Sequence, residues 1–188
     1  MAFEVNYAEL YCLSNYSFLQ GASHPEELVE RAHALGYAAL ALTDECSVAG
    51  VVRAYQRARA LGLSLIVGSS FALQEGVTLV LLATSRAGYA QLCRLITQAR
   101  RHADKGSYRL CRQDLEQGLA DCLALLAFDD AVDSDDLAWV SRVFPRRAWL
   151  AVTVLRDGRD AWRLQASAEL ARRYALPRVA TGQVLMHN

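Results

Sequence analysis

Short runs of consecutive apolar residues alternate with longer amphipathic stretches along this chain, about seven times. AALALT at 38–43, SLIVGSSF at 64–71, VTLVLLA at 77–83, CLALLAF at 122–128 and AWLAVTV at 148–154 read as strands. Residues 7–13 and 178–181 read as the first and last strands. Unbroken apolar runs of this length are how strands covered on both faces read. Helices are predicted over 25–35, 48–61, 86–103, 135–143 and 158–174, with a short one at 112–117. Alternation of this kind implies an α/β fold with mostly parallel strands, as a barrel or an open sheet. In both, functional side chains stand at the C-terminal ends of strands.

Local signals refine the helices. Ser23 is expected to cap the first, with Glu26 closing a capping box and Pro25 in the first turn. Gly36 is expected to end it. In the second helix Val48, Val51, Val52 and Tyr55 are expected to share one face, and Gly62 to stop it. Leu92, Leu95, Ile96 and Ala99 are expected to face inward from the third. The QEG triplet before Val77 is a turn.

With 53% apolar residues in 188, the chain has enough core for one domain, 1–188. Its longest apolar runs are too short to span a bilayer. Its first ten residues, with Glu4 among them, do not read as a signal segment, so a cytoplasmic protein without a membrane partner is expected. The five cysteines form no C-x-x-C pair and are expected to be reduced and mostly buried. A net charge of zero argues against broad non-specific nucleic-acid binding. Lys105 is the only lysine; the other nineteen cations are arginines. A GC-rich genome or bidentate recognition of phosphate and carboxylate would each account for that.

The strand-end rule selects Tyr11, Leu13 and Ser14, then Thr43, Asp44, Glu45 and Cys46, then Gly68, Ser69 and Ser70, and last Thr181, Gly182, Gln183, Leu185 and His187. Tyr11 and Leu13 should point to one face and Cys12 to the other. Asp44 and Glu45 are the clear carboxylates of this set. Paired acids hold a hard cation or act as acid and base. Asp44 is equally placed to cap the following helix, which is the expected role.

The strings ELYCLSNYSFLQGASHPEELVERAHALGYAALALTDECSVAGVV, LGLSLIVGSSF, KGSYRL and PRVATGQV closely resemble the N-terminal PHP (polymerase and histidinol phosphatase) domain of bacterial C-family DNA polymerases. SNYSFLQGASHPEELVERA resembles their error-prone, damage-inducible branch most. The resemblance covers nearly the whole chain and implies a PHP-type distorted (β/α)7 barrel. It also implies that the polymerases continue for hundreds of residues, so 1–188 is expected to be an N-terminal piece.

In metal-binding members of that family the first strand ends His-x-His, where this chain has Tyr11 and Leu13. The second ends Asp-His; here it ends Asp44 and Glu45. The third carries Gly-x-Glu-Phe, with Ser70 at the Glu position. A His near residue 100 is replaced by Arg100, and the final Asp-x-His by Gln183 and Leu185. Only Asp44 survives. The resemblance thus implies a degenerate site without metal, catalytic residue or cofactor, magnesium belonging to a polymerase palm outside this sequence. It implies partners as well: a thumb region in cis, and through the full-length protein a sliding clamp, accessory mutagenesis proteins and DNA.

Several residues are weighed singly. His24 is expected at the surface or in a cap, His33 in solvent, and Cys46 as an inert thiol. Arg94, Arg100, Arg101, Lys105, Arg109 and Arg112 crowd one stretch, which either contacts DNA or a partner or is a solvated face. The expected function is a non-catalytic PHP scaffold of an error-prone polymerase active in translesion synthesis. The alternatives are a metal-dependent phosphoesterase rearranged around Asp44, Glu45 and His187, and an Arg-rich interaction module.

Overall fold

Each apolar run forms a strand in the computed structural model, which describes residues 6–129 and 132–187. Glu4, and residues 130 and 131 of the acidic loop, lie outside the described residues. The strands are β1 (Ala8–Cys12), β2 (Ala39–Leu42), β3 (Ser64–Ala72), β4 (Thr78–Ala83), β5 (Cys122–Ala127), β6 (Ala148–Thr153) and β7 (Arg178–Thr181). They form one sheet in sequence order. A bridge between Cys12 and Val184 brings its two edges together, so the sheet is a nearly closed barrel. The helices are α1 (Pro25–Ala34), α2 (Val51–Leu61), α3 (Arg86–Arg101), α4 (Ser134–Val143) and α5 (Asp160–Arg173). The short helix expected at 112–117 is a 3-10 turn, Arg112–Leu115.

Among the described residues, β4 is the strand that breaks the parallel pattern. The turn after Leu73 closes with the Leu73 amide on the Val77 carbonyl, and Gly76 takes φ +91°, where a side chain is strained. β4 therefore returns antiparallel to β3 and also to β5. It ends at the foot of the barrel, and α3 must climb back toward the mouth.

Among the described residues, three apolar clusters hold the fold. One fills the barrel: Tyr11, Leu13, Ala41, Val80, Leu82, Leu125 and Ala151. A second lies between α1, α2 and β1–β3, around Leu28, Val29, Leu40, Leu42, Ala54 and Ala58. The third and largest packs α3, α4 and the 3-10 turn on β3–β6, around Phe71, Leu79, Leu92, Leu126, Leu137 and Phe144. Burying one such Leu or Phe side chain stabilises by about 1.5–3 kcal/mol.

Two local expectations are corrected. The N-cap of α1 is His24, one residue after Ser23, and Glu27 rather than Glu26 closes the box by accepting the His24 amide at 2.7 Å. Glu26 instead pairs with Arg53 of α2. In α2 the buried residues are Ala54 and Ala58, while Val52 and Tyr55 face solvent. Small residues are selected there because α1 packs close against α2. Gly62 does end α2, in the left-handed conformation at φ +73°.

Candidate functional site: the mouth of the barrel

The site begins with an irregularity in β1. Glu9 pairs with Leu40 and Cys12 with Leu42, so Leu10 and Tyr11 together oppose Ala41 in a bulge. Tyr11 and Leu13 then pack inside the barrel, 6% and 1% exposed, while Cys12 joins the outer cluster. The predicted division of faces holds.

Tyr11 is buried in the cluster inside the barrel, near the C-terminal end of β1. Burial raises the pKa of its phenol and the Glu45 charge adds to this; hydrogen bonds with Ser70 and Gln183 oppose it only in part. Glu45, after β2, is bridged to Ser70 of β3 beside it. Ser70 also donates its Oγ to the Thr43 carbonyl at 2.9 Å.

Asp44 corrects a third expectation. The N-cap of α2 is Gly50, without a side-chain cap. The buried Asp44 carboxylate turns instead to the β1–α1 loop. It accepts the Ser14 amide at 2.7 Å, the Ser14 hydroxyl at 2.8 Å and the Ser17 hydroxyl at 2.7 Å. Burial raises its pKa, and the Ser17 and Ser14 hydrogen bonds oppose that. Gly21 lets the same loop close, since a Cβ there would meet the Ser14 carbonyl oxygen at 2.0 Å.

Glu45 is covered. It accepts Tyr108 Oη at 2.5 Å and the Gln20 amide, and its own amide donates to Ser17 Oγ. Tyr108 accepts the Ala72 amide at 2.8 Å, and burial followed by the Glu45 hydrogen bond raises its pKa strongly. Arg100 lies over the Tyr108 ring, 5.5 Å from its centroid, and donates to the carbonyls of Cys46 and Ser107. Cys46 is pushed up to about 11 by burial, which outweighs the nearby Arg100 charge, so it stays a thiol.

His187 lies elsewhere. Its Nδ1 is 2.6 Å from Ser23 Oγ, and its amide donates to the same oxygen. This fastens it to the start of α1. His24 caps that helix and His33 is exposed. Leu185 sits half-exposed on the rim, its carbonyl accepting the Ala22 amide.

The Arg-rich stretch does not form one surface. Arg112 pairs with the buried Asp136 of α4, and Arg94 folds onto its own helix at the Ala90 carbonyl. Arg100 is at the mouth, with Arg101, Lys105 and Arg109 exposed around the loop that follows α3.

These residues do not fit a multinuclear metal centre. Leu13 and Leu185 carry no donor, Tyr11 is held as a neutral phenol, and every Asp44 oxygen faces a hydrogen-bond donor. Among the described residues no three His, Cys, Asp or Glu side chains are grouped as a metal ion would require. Asp44, Glu45 and His187 are not brought together.

Ser14, which the strand-end rule selects, is joined by three residues that the sequence reading passed over. Ser14, Ser17, Gln20 and Tyr108 satisfy the two carboxylates, and the serine-rich SNYS string was the available signal for Ser17. Glu9, a lone acid inside a strand, is 1% exposed and accepts the Gly182 amide.

Residues 9–157 match the family described as the PHP domain. The chain belongs to the PHP domain family. It is 53% identical over 185 residues to the error-prone DNA polymerase of Methylococcus capsulatus, and 55% over 181 residues to that of Pseudomonas paraeruginosa. These matches cover 98% and 96% of this chain but 18% of each relative, so the chain spans under a fifth of the curated relatives it matches. Among solved structures, a candidate metal-dependent phosphoesterase from Bifidobacterium adolescentis aligns over 98% of this chain and 88% of its own, with a TM-score of 0.70 at 13% identity. An amidohydrolase from Chromobacterium violaceum, solved with bound sulfate and no metal, aligns over 95% and 87%, with a TM-score of 0.66 at 18% identity. The fold is that of PHP-like proteins. Among the described residues no helix is long and apolar enough to cross a membrane.

Proposed function

We propose that this PHP domain is a metal-free, non-catalytic scaffold within an error-prone DNA polymerase that acts in translesion synthesis. The observation that carries the proposal is Tyr11. A buried phenol, kept neutral chiefly by desolvation, stands where the family's ligand positions converge. Asp44, the one retained ligand type, is committed to the β1–α1 loop. Buried ligands without their cation would repel one another and stay desolvated. Neutral and apolar replacements remove that cost and let the mouth pack.

On this reading nucleotidyl transfer, with its magnesium, belongs to the remaining four-fifths of the polymerase, against which this domain packs in cis. The sliding clamp and accessory mutagenesis proteins are partners of the full-length protein, which works in the cytoplasm. The sequence identity to error-prone polymerases over nearly the whole chain supports this.

The deciding experiment is elemental analysis of protein purified without chelator, paired with a phosphodiesterase assay in added manganese or zinc. The scaffold gives substoichiometric metal and no turnover. About one bound zinc or manganese per chain, lost in Asp44→Ala together with measurable hydrolysis, overturns it.

A further inference from the structure

The direction of β4 gives the mouth a cation that forms no ion pair among the described residues. Because β4 ends at the foot, α3 climbs and delivers Arg100 to the opposite end of the barrel. The loop after α3 then folds Tyr108 over Glu45, and the β1–α1 loop, anchored on Asp44, sets Tyr16 and Phe18 on the other side. Between the two loops lies a cavity of about 320 Å³, lined by Tyr16, Phe18, Glu45, Arg100 and Tyr108 among others. That is at the low end of small-ligand sites, roughly 300–1,000 Å³.

Three groups in this cavity differ in chemistry and converge. Arg100 is held from behind by the carbonyls of Cys46 and Ser107 and by the Tyr108 ring, and among the described residues it forms no ion pair. A guanidinium fixed by neutral acceptors keeps its charge available for an incoming anion. Phe18 is 84% exposed on the rim, a flat apolar face that the fold does not cover. Glu45 receives one donor on each carboxylate oxygen, and each oxygen retains acceptor capacity for a further amino group.

An anion site, an aromatic platform and a hydrogen-bond acceptor are the three demands of a nucleotide. We propose that the mouth of this barrel binds one nucleotide of single-stranded DNA, with its phosphate on Arg100 and its base against Phe18 beside the Glu45 carboxylate. The strand is single because a base must leave its stack to meet an aromatic side chain. Exposed Arg101, Lys105 and Arg109 around the adjoining loop accept neighbouring phosphates. Glu45 adds a preference: cytosine offers an amino group to the carboxylate, whereas thymine presents a carbonyl there.

The test is fluorescence anisotropy with labelled ten-nucleotide oligo(dC) and oligo(dT), the 188-residue chain and excess chelator, so that it reads independently of metal content. In about 50 mM salt oligo(dC) binds more tightly than oligo(dT), and the affinity falls as salt rises. Phe18→Ala weakens binding about fivefold or more, and Phe18→Tyr restores it. Arg100→Gln weakens it comparably and flattens the log–log salt slope by roughly 0.7. Glu45→Gln narrows the gap between the two oligonucleotides. Arg59→Gln, in the last turn of α2 at the foot, is the charge control and changes nothing. Both Phe18 and Arg100 are exposed, so thermal melting confirms that their variants fold. The proposal is overturned if the folded chain binds neither oligonucleotide at low salt. It is equally overturned if Arg100→Gln and Arg59→Gln lose affinity alike, which is diffuse charge attraction. Loss of a polymerase-segment interaction in Phe18→Ala with DNA binding intact would assign the rim to protein docking and also overturn it.

Discussion

The Gly182 amide lies 3.0 and 2.9 Å from the two carboxylate oxygens of Glu9, joining residues 173 positions apart. The same carboxylate accepts the Tyr11 amide at 2.9 Å and the Tyr7 hydroxyl at 2.8 Å. Beyond the Cys12–Val184 bridge, β1 and β7 share few backbone hydrogen bonds, so Glu9 supplies part of the missing seam. Glu9→Ala leaves three donors unsatisfied, two of them backbone amides, and should cost about 3–5 kcal/mol. Glu9→Gln, which keeps an acceptor, should cost distinctly less. Gly182→Ala should resemble Glu9→Ala, because its Cβ would sit 2.4 Å from the Glu9 oxygen. Urea denaturation of the three variants checks the order; a Glu9→Ala as stable as the parent would show that the seam does not depend on the carboxylate.

Asp44 predicts a local rather than a catalytic phenotype. Asp44→Ala strands the Ser14 amide and two serine hydroxyls in a buried setting, at about 1–3 kcal/mol for each group that finds no water. Asp44→Asn keeps two acceptor sites on its carbonyl oxygen and should lose less. The damage should centre on residues 14–21, which the carboxylate holds, and only weakly reach β5 or β6. Limited proteolysis and hydrogen exchange read this: early protection loss in 14–21 supports it, and uniform loss across the sheet contradicts it.

Much of this was legible in the sequence, and what was not has a physical reason. Strand ends were placed because apolar runs stop where polar loops begin, and Tyr11, Leu13 and Cys12 sorted by face because side chains alternate along a strand. The N-cap of α1 slipped by one residue because Ser23 and His24 are adjacent candidates and Glu26 and Glu27 are adjacent partners. Val52 and Tyr55 were grouped on one apolar face with Val48 and Val51, yet the face that α2 buries is that of Ala54 and Ala58. Glu9, Tyr108 and Asp44 were misread or missed for one shared cause. Their partners are 173, 63 and 30 residues away, and no local pattern encodes a contact across that distance.

Alkaline pH should unfold this domain through its thiols. Burial raises the pKa values of Cys46 and Cys122 to about 11, and of Cys12 further. In the unfolded chain a cysteine titrates near 8.5. The folded state therefore keeps protons that the unfolded state releases, and stability must fall as pH rises from about 8.5 toward 11. The contribution is complete below the unfolded value and lost as pH rises through the folded one. The raised phenols of Tyr7, Tyr11 and Tyr108 add to the loss at the upper end. Urea midpoints in reducing buffer should decline steadily over this window, and the Cys46→Ala, Cys122→Ala double variant should give a shallower decline. A flat profile would mean that the thiols are not sheltered.

The mouth should be able to hold metal again only if its donors return as a set. The resemblance to metal-binding members of the family implies ligand positions at Tyr11, Leu13, Asp44, Glu45, Ser70, Arg100, Gln183 and Leu185. Restoring one donor places a buried histidine or carboxylate among neutral groups, where desolvation favours its uncharged form and a lone ligand binds weakly. Tyr11→His should therefore leave zinc substoichiometric. Tyr11→His and Leu13→His with Glu45→His, Ser70→Glu, Gln183→Asp and Leu185→His remove the buried phenol and supply imidazole and carboxylate donors from four strand ends. This variant should be less stable than the parent without metal, because charged ligands then face one another uncompensated. Added zinc should bind near stoichiometry and raise its melting temperature, since whatever binds only the folded state stabilises it. Calorimetric titration with melting curves measures both. A folded variant that gains neither zinc nor thermal stability would mean that the barrel itself, and not only its side chains, has moved away from a metal-holding shape.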